Sequence, residues 1–390
     1  MRKISILVAA ATAIGVGAAT GPAAAERGVT ASEITLGTSL DLSGPITFWG
    51  VPMRNGYLMR VEEQNAKGGV HGRKINLIIE DNGYDPKKGV LATQKLISKD
   101  RVFALVGILG TPVALSSMPM ALEKNVPFLF PGTNHRKSFE PFHKLKFSIS
   151  APYDAQVMAG VKYAVEKMGK TKIAVIYQDD EFGKDILQAV RKQTKAMGLK
   201  VAAVASFKRG STNFSSQVAR VRRASPDLIF TSSIVRETIG IASELKKTGW
   251  TVDMMTPASA CNAAVAFLGK AAVEGIWVQC QYVPFNPASD SAAVKAWLGR
   301  YQKRFGKRGG VPAAISYEIM DLTIKALTDA GKDLTQAKFL AAIEAIKNYK
   351  GIFDAPALSF GPKKHGGTEA FVLTRIEGGR FVRKSGEITQ

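Results

Sequence analysis

Runs of strand length alternate with runs of helix length along this chain, and that alternation limits the fold more than any other feature. From Ile34 to Ile149 the order reads strand (Ile34–Thr38), helix (about Val51 to Ala66), strand (Ile75–Glu80), helix (Pro86 to about Lys99), strand (Phe103–Gly107), helix (Pro112–Lys124), strand (Val126–Phe130). Asp85-Pro86 supplies an N-cap acid and a proline at the first helical position. Phe103–Gly107 and Val126–Phe130 are continuously apolar, as parallel strands covered on both faces must be. A βαβα order with such strands predicts a parallel sheet with helices on both sides.

The rhythm restarts after Pro152. Helices are expected at Ala155–Met168, at Glu181–Ala196, from an Asn213 cap to Ala224 and from about Arg236 to Thr248, and strands at Lys172–Tyr177, Lys200–Phe207, Leu228–Thr231, Val252–Thr256 and Ile276–Tyr282. Beyond Pro284 come three helical runs, Ala292–Phe305, Ala313–Ala330 and Thr335–Ile346. Short antiparallel strands then follow at Leu358–Phe360 and Phe371–Arg383, the latter turned by Gly378-Gly379. The expected fold is therefore α/β, two doubly wound parallel-sheet lobes joined by a hinge. One lobe takes residues 26–150 and 284–352, the other 151–283 and 353–390, and several segments cross between them.

The first 25 residues have the pattern of an export signal: basic Arg2 and Lys3, an apolar run Ile4–Ala19, and Ala23-Ala24-Ala25 before Glu26. Gly15, Gly17 and Gly21-Pro22 interrupt that run and argue against a retained anchor. The chain is expected to be exported, with cleavage near Ala25, and the periplasm is the location implied by the resemblance set out below. In such an oxidising compartment Cys261 and Cys280, the only cysteines, have two open fates: a disulfide or two buried thiols.

The chain carries 53 Lys and Arg against 32 Asp and Glu, a net charge of +21. The cations are scattered singly or in pairs (Lys87-Lys88, Arg222-Arg223, Lys246-Lys247) without interleaved aromatics. That reads as a solvated helical surface and excludes nucleic acid as the expected partner. The positive field favours anionic solutes and surfaces.

In an open α/β sheet, ligands sit beyond the carboxyl ends of strands, on the loops that enter helices. Three such loops converge at one edge of the first lobe. Leu40–Trp49 places Phe48 and Trp49 where a loop does not readily bury them, so Trp49 reads either as a wall of a ligand cleft or as packing for its own helix. Gly107–Pro112 and Pro131–His135 bring glycines for close backbone approach, free amides at a helix start, and the hydroxyls of Thr111 and Thr133. Ordinary βα loops share these features. No nucleophile elbow, phosphate loop, dinucleotide fingerprint or zinc-binding helix occurs, and the four histidines lack metal-ligand spacing. His135 alone among them falls on a cleft loop. Asp179-Asp180-Glu181 fits a helix start better than a cation site. The expectation is a binding protein with no catalytic residue, metal or cofactor.

Leu42-Ser43-Gly44-Pro45 with Trp49-Gly50, Asn65–Gly72, Asp81-Asn82 with Asp85-Pro86, Phe130–Asn134, and Tyr177–Gly183, in this order, resemble the periplasmic leucine/isoleucine/valine-binding proteins of ABC transporters. More broadly the chain resembles type I periplasmic binding proteins, over nearly all of its length. The resemblance implies two lobes that close on a small solute and deliver it to an inner-membrane permease, as a monomer. In amino-acid-binding relatives the loops matching Gly110-Thr111 and Gly132-Thr133 hold the ligand carboxylate, and an aromatic matching Trp49 covers it. A tyrosine matching Phe182 and an acid in the loop matching Pro257-Ala258-Ser259 bind the ammonium. Asn134 and Tyr153, on the adjoining loop and the crossover, complete the expected set.

Here the acidic position is Ala258 and the tyrosine position is Phe182. A buried ammonium without a carboxylate is strongly disfavoured, unless Asp154 or Glu237 moves in to replace it. Arg236, after Ile234-Val235, is a candidate fork for a carboxylate or else a solvated helix-start residue. The expected ligand is an organic acid with an aromatic or apolar body and no α-amino group. The alternatives are a branched-chain or aliphatic amino acid, or its amide, and a sensory module in place of a transport receptor.

Overall fold

A computed structural model describes residues 26–389, so the expected export signal at 1–25 lies outside the described residues. The first lobe is built on β1 (Glu33–Leu40), α1 (Thr47–Ala66), β2 (Lys74–Asp81), α2 (Pro86–Ser98), β3 (Ala104–Val106), α3 (Thr111–Glu123), β4 (Phe128–Leu129) and β5 (Lys146–Phe147). Its five strands are parallel, in the order β2-β1-β3-β4-β5. All three residues of β3 are buried, which is why that run is apolar without alternation. Asp85 caps α2 by accepting from the Lys87 and Lys88 amides, with Pro86 at the first helical position.

The second lobe follows with α4 (Tyr153–Met168), β6 (Ile173–Gln178), α5 (Glu181–Ala196), β7 (Ala203–Phe207), α6 (Ser215–Arg222), β8 (Leu228–Ser232), α7 (Val235–Lys247), β9 (Asp253–Thr256), α8 (Ala263–Gly269) and β10 (Trp277–Cys280). The chain then returns to the first lobe as α9 (Ala292–Phe305), α10 (Val311–Asp329) and α11 (Gln336–Ala345), with α10 packed along α1 and Phe339 of α11 against Phe103 at 5.2 Å. It ends in β11 (Val372–Glu377) and β12 (Arg380–Arg383), antiparallel additions to the second sheet, whose order is β12-β11-β10-β9-β8-β6-β7. Gly378 and Gly379 turn this hairpin with φ of 57° and 71°, values that side-chain-bearing residues avoid.

Two expectations need correction. Phe48 and Trp49 are not loop residues, because α1 begins at Thr47. The buried Asp41 carboxylate accepts from the Ile46 amide at 2.7 Å and from the Gly44 amide, closing the turn early enough for both aromatics to join the first helical turn. The return to the second lobe also comes later than residue 353. Gly366 bridges Ser148 beside β5, and Phe360 packs against Phe130 and Phe147 at 5.8 and 6.0 Å. Leu358 and Phe360 are buried in the core shared with β4 and β5, so this stretch stays with the first sheet as isolated bridges.

Three segments therefore cross between lobes, near residues 148–152, 281–285 and 367–371. The Gln281 side chain ties two of them, donating to the Ile149 carbonyl at 2.8 Å and accepting from the Ala151 amide at 3.0 Å.

Cys261 and Cys280 form a disulfide with Cα atoms 5.6 Å apart, closing a 19-residue separation. Their replacement by serine is expected to lower stability by about 2–4 kcal/mol, read as a lowered urea midpoint with a transition slope no shallower than that of wild type, because the unfolded chain is released to expand.

Candidate functional site

Between the lobes lies a cavity enclosing about 780 Å³, its open mouth included. Trp49, Gly110, Thr111, Gly132, Thr133 and Asn134 reach it from the first lobe, and Tyr153, Phe182 and Ala258 from the second. Arg236 is not brought there. It sits half-buried in the first turn of α7, while Ile234, two residues earlier, lines the wall.

On the first-lobe side the Thr111 and Thr133 hydroxyls meet at 2.6 Å. Only one hydroxyl hydrogen can lie between them, so the other is left to point elsewhere. The Gly110 amide donates to the Gly132 carbonyl at 3.1 Å, which locks the two loops side by side. The amides of Thr111 and Val113, at the start of α3, have no acceptor among the described residues. Hydroxyls and uncommitted amides at a helix start suit an oxygen anion.

The second lobe closes over this edge. Trp49 Nε1 donates to the Ser259 carbonyl at 3.1 Å, and Asn262 Nδ2 donates to the Phe48 carbonyl at 3.1 Å. Both bonds run from α1 to the second lobe. Phe182, in the first turn of α5, meets Tyr153 edge to face at 5.2 Å, and the Tyr153 amide donates to the Asn134 carbonyl at 2.8 Å. Asp180 caps α5 through the Phe182 and Gly183 amides, so the acidic run does serve a helix start.

Among the described residues no Asp, Glu, Lys, Arg or His side chain lines the cavity. The two carboxylates that could have compensated for Ala258 are engaged elsewhere. Asp154 pairs with Arg136 at 2.7 Å, and Glu237 accepts from the Ile234 amide at 3.3 Å at the head of its own helix. His135 turns away from the lining to face Asp185 at 3.9 Å. Burial pushes that imidazole down to about 4 and the Asp185 carboxyl up to about 7.

Several lining residues escaped the sequence reading: Met53 on α1, Ile315 and Ile319 on α10, Tyr84, Gln281 and Tyr282. Ile315 and Ile319 carry a signal in retrospect, since an i, i+4 pair shares one helix face. Tyr84 carries another, as an aromatic in the turn between β2 and α2. Tyr282 carries none before its strand is placed beside the cleft. Among the described residues no helix is long and apolar enough to cross a membrane, and no three His, Cys, Asp or Glu side chains gather as metal ligands.

A family model described as periplasmic binding protein matches residues 33–380. A leucine-, isoleucine-, valine-, threonine- and alanine-binding protein of Pseudomonas aeruginosa is 22% identical over 353 residues, 90% of this chain and 92% of that protein. An amino acid binding protein of the same organism is 23% identical over 225 residues, and the alignment spans 58% of this chain and 60% of that protein. Among solved structures, a fatty acid ABC transporter substrate-binding protein from Thermomonospora curvata superposes with a TM-score of 0.84 at 22% identity, covering 94% of this chain and 95% of that one. A leucine binding protein from Thermotoga maritima gives 0.80 at 19% identity, covering 91% and 99%. These likenesses support the two-lobed architecture.

Proposed function

This chain belongs to the periplasmic binding protein family, and on that premise we propose that it is the solute receptor of an ABC importer for a small organic carboxylate. The ligand is an aromatic or apolar acid without an α-amino group. It sits in the inter-lobe cleft and is delivered to an inner-membrane permease. The observation that carries this reading is that, among the described residues, no charged side chain lines the cavity. An ammonium group enclosed there has no carboxylate to face, and leaving it unpaired is costly. A carboxylate needs no cation if hydroxyls and helix-start amides receive it. Trp49, Gly110, Thr111, Gly132, Thr133, Asn134, Tyr153, Phe182 and Ala258 are the proposed contacts. The threonine edge takes the head group, while Met53, Phe182, Ile315 and Ile319 enclose the apolar body. Lobe closure is the signal that the permease reads, and no chemistry is done on the ligand.

A second reading, a branched-chain or aliphatic amino acid, is favoured by the names of the relatives. A thermal-shift screen of the exported form against amino acids, aliphatic acids, oxo acids and aromatic acids separates the two. A true ligand at about a hundred times its dissociation constant adds roughly 2.7 kcal/mol of stability. Stabilisation by benzoate or an oxo acid and not by leucine is the expected result. Stabilisation by leucine or valine alone sinks the acid reading.

A further inference from the structure

Tyr84 differs from the other cavity walls in how completely both lobes organise it. It adopts a left-handed backbone, φ 56°, which residues with side chains hold only where their surroundings insist on it. The Asn82 side chain accepts from the Tyr84 amide at 2.8 Å and pins the turn. The ring then lies against Gly110, where a Cβ atom would stand 2.6 and 2.7 Å from two ring carbons. The phenol is thereby laid across the residue that precedes α3 and Thr111.

Three contacts to Tyr84 come from the second lobe. The Arg209 guanidinium stands over the ring at 5.1 Å, and Arg209 Nη1 donates to the Tyr84 carbonyl at 3.2 Å. Gln178 Nε2 donates to the phenol oxygen at 3.2 Å. Asp180 organises both partners: its carboxylate accepts from Arg209 Nη2 at 3.0 Å and from Gln178 Nε2 at 2.6 Å. A carboxylate cannot donate, so this last bond fixes the Gln178 amide with its NH2 toward the phenol. The phenol oxygen is therefore an acceptor in this contact. Its own hydrogen has no acceptor among the described residues, although Tyr84 is only 2% exposed. A buried O–H donor left over in a cavity wall is an uncommon arrangement.

We propose that Tyr84 donates this hydrogen to the head-group oxygen of the bound acid, as a donor additional to the threonine edge, and that Gln178 and Arg209 position it when the lobes close. The inference rests on the reading of this cleft as a carboxylate site. Because Tyr84 belongs to the first lobe and its clamp to the second, the phenol is fully oriented only in the closed form. Tyr84 is thus a binding residue. Arg209 acts through it as a positioning residue.

The test is titration calorimetry of wild type, Tyr84→Phe and Arg209→Gln with three probes: benzoate, 4-methylpentanoate and leucine. Tyr84→Phe keeps the ring on Gly110 and removes only the hydroxyl. It is expected to weaken every probe that wild type binds by about 10- to 100-fold. Arg209→Gln is expected to weaken all bound probes by one common factor, so that the ratio between them is preserved. An unchanged Kd in Tyr84→Phe overturns the inference, and a changed ratio in Arg209→Gln overturns its positioning role. If wild type binds leucine but neither acid, the amine-free reading fails. A Tyr84→Phe loss on leucine then still supports the Tyr84 assignment, since leucine also brings a carboxylate. If wild type binds none of the three, both fall.

Discussion

Ala258→Asp is expected to abolish binding of simple monocarboxylates, weakening benzoate or 4-methylpentanoate at least 100-fold. Ala258 lines the cavity and is 8% exposed, so a carboxylate introduced there is largely removed from water. Among the described residues no lysine, arginine or histidine side chain lines the cavity to neutralise it. The bound anion would meet a second negative charge in a medium of low dielectric, a penalty of about 3 kcal/mol or more. The same substitution supplies the partner that an ammonium lacks, so leucine affinity should move the other way and rise relative to both acids. Calorimetry with the same three compounds reads both changes. If benzoate affinity stays within a factor of about three, Ala258 does not face the ligand, and the explanation for a missing amine site goes with it.

Gly110→Ala should damage the site and the fold together. The residue has φ of 100°, and its missing side chain is where the Tyr84 ring lies. With ψ at 130° this backbone is not the left-handed helical one but a region held almost only by glycine, so an alanine there carries strain of about 1–3 kcal/mol and must also displace the ring. A total loss of about 2–4 kcal/mol in urea melts is expected, with ligand affinity reduced at least tenfold. Gly210→Ala is the control for a positive-φ glycine without a ring against it. Gly210 also has positive φ, 77°, but nothing lies within 4 Å of the added Cβ. It should cost only the backbone strain and leave affinity unchanged. Equal losses in the two variants would mean that the Tyr84–Gly110 contact contributes nothing.

Much of the candidate site was legible in advance because its parts are local. Asp85-Pro86 and Asp180 announce helix starts through capping chemistry that involves only the next three residues. Gly110-Thr111 and Gly132-Thr133 announce themselves as loops between a buried strand and a helix. Phe182 and Ala258 could be placed from the order of motifs. Arg236 shows the limit of that reasoning. It lies two residues from Ile234, which does line the cavity, but the start of α7 turns it away, and such a turn is not encoded in residue type. Phe48 and Trp49 join the helix for a similar reason: the Asp41 carboxylate, five residues before Ile46, closes the turn, and its reach depends on folded geometry.

The alternation of short apolar runs with amphipathic ones was enough, by itself, to determine a parallel α/β architecture in two tandem units, because period and burial on both faces are properties of consecutive residues. The residue types at 258 and 182 likewise determined that no acid stands at the first position and no tyrosine at the second. Only the tertiary structure decided that Asp154 and Glu237 are occupied elsewhere and that Cys261 reaches Cys280. It also decided that residues 358–367 stay with the first sheet and that Tyr84 is gripped by Gln178 and Arg209 across the cleft. Each of these joins groups far apart in the chain, or chooses among several partners of similar chemistry. Such a choice is made by the packing of whole lobes, which no local run of residues contains.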